Sequence, residues 1–462
     1  MYKIDFNEPI HIHFIGIGGI SMSGLAEILL KEGFTVSGSD TKESPLTKKL
    51  VSEGAHIIYG QKAENITRDI GCVVYTAAIN RNNPELIEAV ALKIPMLTRA
   101  ELLGQLMKNY DTPIAVSGTH GKTTTTSMIS HILLEGDLDP TISVGGILKA
   151  IGGNIRVGNS GTFITEACEY TNSFLHFFPK ISVILNIEED HLDFFKDLED
   201  IRHSFHQFAE LLPEDGTLII NAEIKDYAEI YEGLSCNVVT YGTNGCFDYS
   251  AKNITYDENG HVAFDLFRRG EYADHIQLSV TGDHNVSNAL SAIAVADILG
   301  LSIDITKRGL LSFTGTDRRF EYKGEFNGVT VIDDYAHHPT EILATLKARQ
   351  RLFCTTVCGV YSNLILIQGQ KRSSMNSQRR SLMQTTSYLP ISLLARETDT
   401  LGISSADLAK ETEKLGTDTH YFPSFAQIEA FLKENCRPGD LLITMGAGDV
   451  VTIGENLLKQ TS

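Results

Sequence analysis

Residues 118–126 read Gly-Thr-His-Gly-Lys-Thr-Thr-Thr-Thr directly behind an apolar run, Pro113 to Val116, and this junction commits the chain to a strand, a glycine turn and a helix. The N–H groups of such a turn converge on one point, and the dipole of the helix it opens favours negative charge there. A Lys in the turn neutralises the outer phosphates of a nucleotide, and the Thr after it offers a hydroxyl to Mg²⁺. Lys122 and Thr123 fit those two roles, with Gly118, Thr119, His120, Gly121 and Thr124 completing the loop. The expected ligand is ATP with Mg²⁺. Strict Walker spacing would place Gly at Val116, so this loop is shorter by two residues.

A second glycine turn stands near the amino terminus. The run Ile10 to Ile15 alternates like a strand, and Gly16-Ile17-Gly18-Gly19-Ile20-Ser21-Met22-Ser23-Gly24 leads into a helical stretch predicted from Leu25 to Glu32. A further strand, Phe34 to Ser37, ends in Gly38-Ser39-Asp40. A β, glycine-turn, α, β unit with an acid about twenty residues on binds NAD, FAD or a nucleotide sugar. A dehydrogenase is disfavoured, because no hydride-transfer cluster follows and a separate phosphate loop lies downstream. A nucleotide diphosphate on the Gly18–Gly19 turn is preferred. His11 and His13 alternate along the first strand and read as hydrogen-bonded sheet histidines.

At 462 residues the chain exceeds what one core supports, and about three domains are expected. The formal net charge of −19 argues against nucleic acid or an anionic membrane as partner, so phosphate must be met by a local pocket. The polar start, Met1 to Pro9, precedes no signal-like apolar run, and no stretch approaches the ~20 apolar residues of a membrane span. A cytoplasmic location is expected. The seven cysteines lack zinc spacing and suit reduced thiols.

Two strands downstream of the phosphate loop end in polar clusters. Thr162 to Thr165 runs into Glu166-Ala167-Cys168-Glu169-Tyr170, and Ile181 to Asn186 into Ile187-Glu188-Glu189-Asp190-His191-Leu192-Asp193. Parallel strands deliver such residues to the carboxyl edge that also presents the loop, which sets Glu166 and His191 beside the triphosphate. Mg²⁺ prefers hard oxygen, so Glu166 with Thr123 is natural and His191 a less usual ligand. The segment from Glu188 to Asp193 is otherwise a helix cap. Farther on, Gly282-Asp283-His284-Asn285-Val286-Ser287-Asn288 opens an apolar helix, with Asn285 and Asn288 on one face to read an adenine edge.

The order GIGGISMSG, GTHGKTTTT, EACEY, NIEEDHLD, GDHNVSNAL, DRRFE (Asp317 to Glu321), DDYAHHPTEI (Asp333 to Ile342) and GAGD (Gly446 to Asp449) resembles the Mur ligases over nearly the whole chain. The resemblance implies an α/β protein of three domains. These are a Rossmann-like UDP-sugar domain over 1–107, a central P-loop ATPase domain with a mostly parallel sheet over 108–314, and a Rossmann-like amino-acid domain over 315–462. It implies a UDP-sugar site at Gly16, Gly18, Gly19, Ser21, Met22, Ser39 and Asp40. It further implies ATP-dependent joining of L-alanine to the lactyl carboxylate of UDP-N-acetylmuramate through an acyl phosphate, with Mg²⁺ on Thr123, Glu166 and His191. Arg319 would reach the phosphates once the third domain closes, Asp333 or Asp334 would hold the ribose, and His337 and His338 would face the sugar or the alanine. The state is expected to be monomer or homodimer. The competing readings are a Mur-type ligase with another amino acid or peptide and an inert nucleotide-binding protein.

One stretch departs from the pattern. From Ile342 through Arg396 there is no Asp or Glu, although these make up 58 of the 462 residues. The resemblance implies a strand, then Phe-Gln-Pro-His, an Arg, an acidic helix and a second strand. Reading permitted codons for Tyr361 to Arg372 from the third base gives F-Q-P-H-T-Y-T-R-T-K-A, and the same frame over Ser374 to Leu394 gives DEFAEALFDA and DYVIFTDIFAS. Two compensating frameshifts are expected, near Arg351 and near Ala395, so that 352–395 is out of frame in the gene or in its sequencing. In the sequence as it stands, the apolar run Val360 to Ile367 and a basic tract replace a strand and helix of the third domain, and poor folding is expected there.

Overall fold

Short apolar runs interleaved with helices pair into three sheets in the computed structural model. It describes residues 2–336 apart from 77 and 259, residues 341–342 and 345–346, the strand backbones 358–363 and 391–392, residues 420 and 422, and residues 424–459 apart from 447.

The first sheet comprises β1 (His11–Ile15), β2 (Thr35–Asp40), β3 (His56–Tyr59), β4 (Cys72–Tyr75) and β5 (Met96–Thr98), ordered β3-β2-β1-β4-β5 and parallel throughout. The order reverses at β1, and the Gly16 turn leaves the carboxyl end of that strand, the crevice where open α/β sheets bind ligands. The helix predicted from Leu25 begins at Ile20. Gly19 is extended (φ −65°, ψ 141°) and acts as N-cap, so Ser21 and Met22 fall in the first turn.

The central sheet contains β6 (Thr112–Ser117), β7 (Thr141–Leu148), β8 (Gly153–Arg156), β9 (Thr162–Ala167), β10 (Ile181–Ile184), β11 (Thr217–Asn221), β12 (Asn237–Gly242), β13 (Tyr249–Tyr256), β14 (His261–Arg268) and β15 (Glu271–Thr281). Its order is β15-β14-β13-β12-β11-β10-β6-β9-β7-β8. Strands from β13 to β7 in that order run parallel, while β14, β15 and β8 attach antiparallel at the flanks. The strand β6 is apolar along its middle because both faces are covered, and helices Lys122–Glu135 and His284–Ile298 share its core. Register sets the site: Ser117 lies opposite both Ile184 and Ala167, so the phosphate loop, Glu166 and the residues after β10 leave the sheet together.

The third sheet is β16 (Glu321–Phe326), β17 (Val329–Asp334), β18 (Cys358–Asn363), β19 (Ile391–Ser392) and β20 (Leu441–Gly446), in the order β16-β17-β20-β18-β19. All pairs are parallel except β16 with β17. A strand thus stands at 358–363, inside the acid-free stretch, paired with β20 from Cys358↔Leu441 to Asn363↔Gly446. The rest of the expected out-of-frame segment 352–395, apart from the backbone of β19, lies outside the described residues. Among the described residues no helix is long and apolar enough to cross a membrane.

Candidate active site

The phosphate loop is built by backbone strain and one amide side chain. Gly121 sits at φ +85° as N-cap of helix Lys122–Glu135, and a Cβ there would stand 2.9 Å from Asn288 Oδ1. A side chain at this position would therefore meet both the left-handed penalty and a clash. Asn186, just beyond β10, accepts from the His120 N–H at 2.7 Å and donates back to the His120 carbonyl at 3.0 Å. The Thr119 hydroxyl accepts from Glu188 N at 2.9 Å. These bonds fix the loop to the neighbouring strand end, so its free N–H groups converge without further ordering.

Lys122 Nζ donates to the carbonyls of Gly118 (2.5 Å) and Thr119 (3.0 Å) and to both oxygens of Glu169 (3.2 and 2.9 Å). Burial acts against the ammonium, but Glu169, followed by Cys168 and Glu166, outweighs it and raises its pKa. The Thr123 hydroxyl donates to Glu166 Oε2 at 3.0 Å, while Gly145 N donates to Oε1. Burial pushes the Glu166 carboxyl up, against the pull of Gly145, Thr123, Lys122 and Arg319. A hydroxyl and a carboxylate side by side suit Mg²⁺, which takes one or two protein oxygens and completes its shell from phosphate and water. No group of three or more His, Cys, Asp or Glu able to cage a metal occurs among the described residues. His191 is held at φ +52°, its Nε2 3.6 Å from Glu169 Oε1 and its ring tilted 30° against that of Tyr170 with centroids 4.4 Å apart.

A cavity of about 770 Å³ opens from the loop, lined by His120, Gly121, Thr123 and Thr124 on one side and by Arg319, Asp334 and Glu341 on the other. Asn285 and Asn288 line it too; Asn285 donates to Thr281 O (2.7 Å) and accepts from Asn288 (3.0 Å). His284, on the same helix turn, is kept neutral-leaning by burial, which lowers its pKa. Arg319 Nη1 lies 3.5 Å from Glu341 Oε1, and that oxygen is 3.3 Å from His120 Nδ1. A third-domain carboxylate therefore touches both the phosphate loop and the arginine expected to meet the phosphates.

The two adjacent aspartates part company. Asp333 is fully buried, accepts from Arg318 Nε at 3.1 Å and from the Thr444 hydroxyl at 2.5 Å, and does not line the cavity. Arg318 also donates to the carbonyls of Gly446 and Gly448, so this cluster ties β17 to β20. Asp334 does face the cavity, and burial pushes its carboxyl up to about 6 against the Thr345 hydroxyl and Arg319. His337 and His338 lie outside the described residues.

At the amino-terminal turn, Asp40 Oδ2 accepts from Gly18 N at 2.7 Å, and a Cβ on Gly18 would come 2.7 Å from that oxygen. Gly16 and Gly19 sit in the same turn, and Ser21 Oγ accepts from Arg99 Nη1 at 3.2 Å. Two of the expected sugar-nucleotide residues turn inward instead. Met22 packs in the core because the helix starts early, and Ser39 is buried donating to Glu85 Oε2 at 2.6 Å. His11 and His13 share the Ser37 hydroxyl, each at 2.8 Å, which fits the expectation of bonded sheet histidines.

Glu169, Asn186, Glu341 and Arg99 were not singled out by the sequence patterns. Glu169 and Asn186 had a usable signal, since each closes or follows a strand whose end faces the loop. Glu341 and Arg99 had none, because their partners are distant in sequence: His120 in the central domain for Glu341, and Ser21 on another helix of the first domain for Arg99.

Comparison with known proteins agrees along the whole chain. The profile of the Mur ligase family catalytic domain matches residues 11–111, that of the Mur ligase middle domain 116–296, and that of the Mur ligase glutamate ligase domain 318–448. The sequence is 58% identical over 466 residues to UDP-N-acetylmuramate–L-alanine ligase of Agathobacter rectalis, covering 100% of both chains. It is 54% identical over 465 residues to the protein of that name from Lachnospira eligens, covering 99% of this chain and 100% of that one. The solved structure of UDP-N-acetylmuramate-alanine ligase from Thermotoga maritima aligns with a TM-score of 0.80 at 26% identity, covering 98% of this chain and 99% of that one.

Proposed function

The chain belongs to the Mur ligase family, and from that premise we infer its reaction: ATP-dependent joining of L-alanine to the lactyl carboxylate of UDP-N-acetylmuramate, with release of ADP and phosphate, in peptidoglycan synthesis. The observation that carries the reading is the cavity whose one wall is the phosphate loop and whose other wall presents Arg319.

Joining a carboxylate to an amine in water is uphill, and the carboxylate must first be activated. A lactyl oxygen attacks the γ-phosphorus, the bond to the bridging oxygen breaks and ADP departs, leaving an acyl phosphate. The alanine amine then attacks the acyl carbon as the free base, the carbon–oxygen bond to phosphate breaks, and the proton the nitrogen loses passes to the departing phosphate or to water. Two anions must meet in the first step, so the task of the protein is positioning and charge compensation. Lys122 and the loop N–H groups meet the phosphates from the central domain. Thr123 and Glu166, with His191 beside Glu169, would hold Mg²⁺, whose charge offsets that of the phosphate oxygens when bound. Arg319 supplies a second cation from the third domain, and Asp334, the one of the aspartate pair that lines the cavity, would accept from the ribose. Asn285 and Asn288 stand at the adenine end, and the Gly16 turn with Asp40 and Ser21 receives the uridine diphosphate. Substrates of this kind set the reaction in the cytoplasm.

Phosphate release that requires both UDP-N-acetylmuramate and L-alanine is the expected result. A second reading, an inert nucleotide-binding protein, is favoured by one observation, the absence of acids from Ile342 to Arg396. Tight ATP binding with no release under any amino acid would establish it and sink the first.

A further inference from the structure

We propose that Glu169 is a positioning residue of this site, one that ties the Lys122 ammonium to the His191 ring and sets what a triphosphate must displace to reach Lys122. The proposal rests on the ATP-dependent reading above, but only on its nucleotide-binding part. Glu169 has a side chain 3% exposed, and both of its oxygens bond Lys122. With the carbonyls of Gly118 and Thr119, it uses up the three donors of the ammonium. For a phosphate oxygen to bond Lys122, one of these partners must give way, and Glu169 is the only charged one among them. Its Oε1 is also 3.6 Å from His191 Nε2, so a carboxylate that loses part of Lys122 keeps a polar partner on its other side. That matters because a buried carboxylate left alone is costly.

The chain around Glu169 is shaped to hold it there. Thr171 and Asn172 are consecutive left-handed residues (φ 54° and 57°), a conformation that non-glycine residues keep only where surrounding bonds enforce it. Asn172 N donates to the Glu169 carbonyl at 2.9 Å, and the Asn172 side chain accepts from Ser204 at 2.6 Å. Tyr170, next in sequence, packs its ring at a 30° tilt against His191 and donates to Asp193 at 2.8 Å. Thus one tight turn presents the carboxylate to Lys122 and a ring to His191.

The test compares the full chain with Glu169→Gln, which keeps shape and removes charge. Affinity for a non-hydrolysable ATP analogue should tighten by about threefold to tenfold, the size of one charged hydrogen bond withdrawn from competition. Turnover, where ligation is measured, should fall at least about tenfold while the KM for ATP drops, a split that lost folding does not give. Glu169→Asp, which restores the charge on a shorter arm, should return analogue affinity to near the wild-type value. Unchanged or weaker analogue binding in Glu169→Gln overturns the proposal, as does a lowered Tm accompanied by loss of both binding and turnover. If the Gln variant does not fold, Glu169→Ser carries the same expectation. Analogue binding needs neither sugar nor alanine, so a chain that fails to ligate refutes the reaction without touching this result.

Discussion

The two walls of the cavity differ in how they are anchored. The central wall is hung on adjacent strand ends: the loop follows β6, Glu166 ends β9, Asn186 follows β10, and the register aligns all three. The wall opposite is hung on β17, whose neighbour β20 comes from more than a hundred residues further along, with β18 from the acid-free stretch beyond it. The first wall joins strand ends no more than a few tens of residues apart, while the second needs a sheet to close over a connection of more than a hundred. Nucleotide affinity should therefore belong to the central wall, and completion of the reaction to the third domain.

The largest effect expected concerns the segment 352–395. We propose that its reading frame is shifted, and that restoring the frame raises ligation by about 10³-fold or more, since the Phe-Gln-Pro-His and Arg that the resemblance implies there would add substrate positioning and a further cation. Analogue affinity should stay within about twofold across the same pair, because the phosphate loop is untouched. Sequencing the gene together with side-by-side phosphate-release assays checks this. Codons that cannot be read in the shifted frame, joined with ordinary turnover of the chain as it stands, would defeat it.

Next come single substitutions that set the walls against each other. Lys122→Ala should lower turnover by about 10³-fold and weaken analogue binding as well, because its ammonium meets phosphate in the ground state and in the transition state. Arg319→Lys should cost about 10²-fold in turnover with analogue affinity within about threefold, since a point charge replaces a planar fork but the loop still binds. Equal losses of affinity in both variants would erase the distinction between the walls.

These outcomes also show why some of the site could be read in the sequence and some could not. The phosphate loop is a local motif, so strand, glycine turn, Lys and Thr sit between Thr112 and Thr123 and their geometry follows from spacing. The Asp333–Asp334 pair shows the limit. Successive residues of a strand point to opposite faces, and only the pairing of β17 with β20 decides which carboxylate meets Arg318 and Thr444 and which meets the cavity. Asn186 holds a loop 66 residues away, and Glu341 holds His120 from another domain, contacts that no spacing rule reports. The antiparallel flank β13 to β15 carried a period-2 signal in His261–Arg268, alternately buried, that motif placement passed over. The early start of the first helix turned on the extended Gly19, and helix ends are the least determined by pattern.

The smallest effect lies in the pH dependence of stability. Asp334 is pushed by burial to about 6 in the fold, above the ~3.9 of an exposed Asp. Its folded form holds the proton more tightly than the unfolded form, so its contribution to stability is full below about pH 4 and is lost as pH rises through about 6. Asp334→Asn should remove about 2 kcal/mol of that decline between pH 4 and 7, read as a flatter difference curve in denaturant unfolding. Asp333 and Glu166 are raised by burial as well and slope the same way, so the variant is judged against wild type at each pH rather than by its own slope. Because Asp334 belongs to the third-domain wall, the flattening should appear in a probe placed on that domain and be absent from one on the central sheet. A flattening shared by both probes would mean that the walls unfold as one unit and that the division between them is kinetic, set by closure, rather than a difference in how firmly each is built.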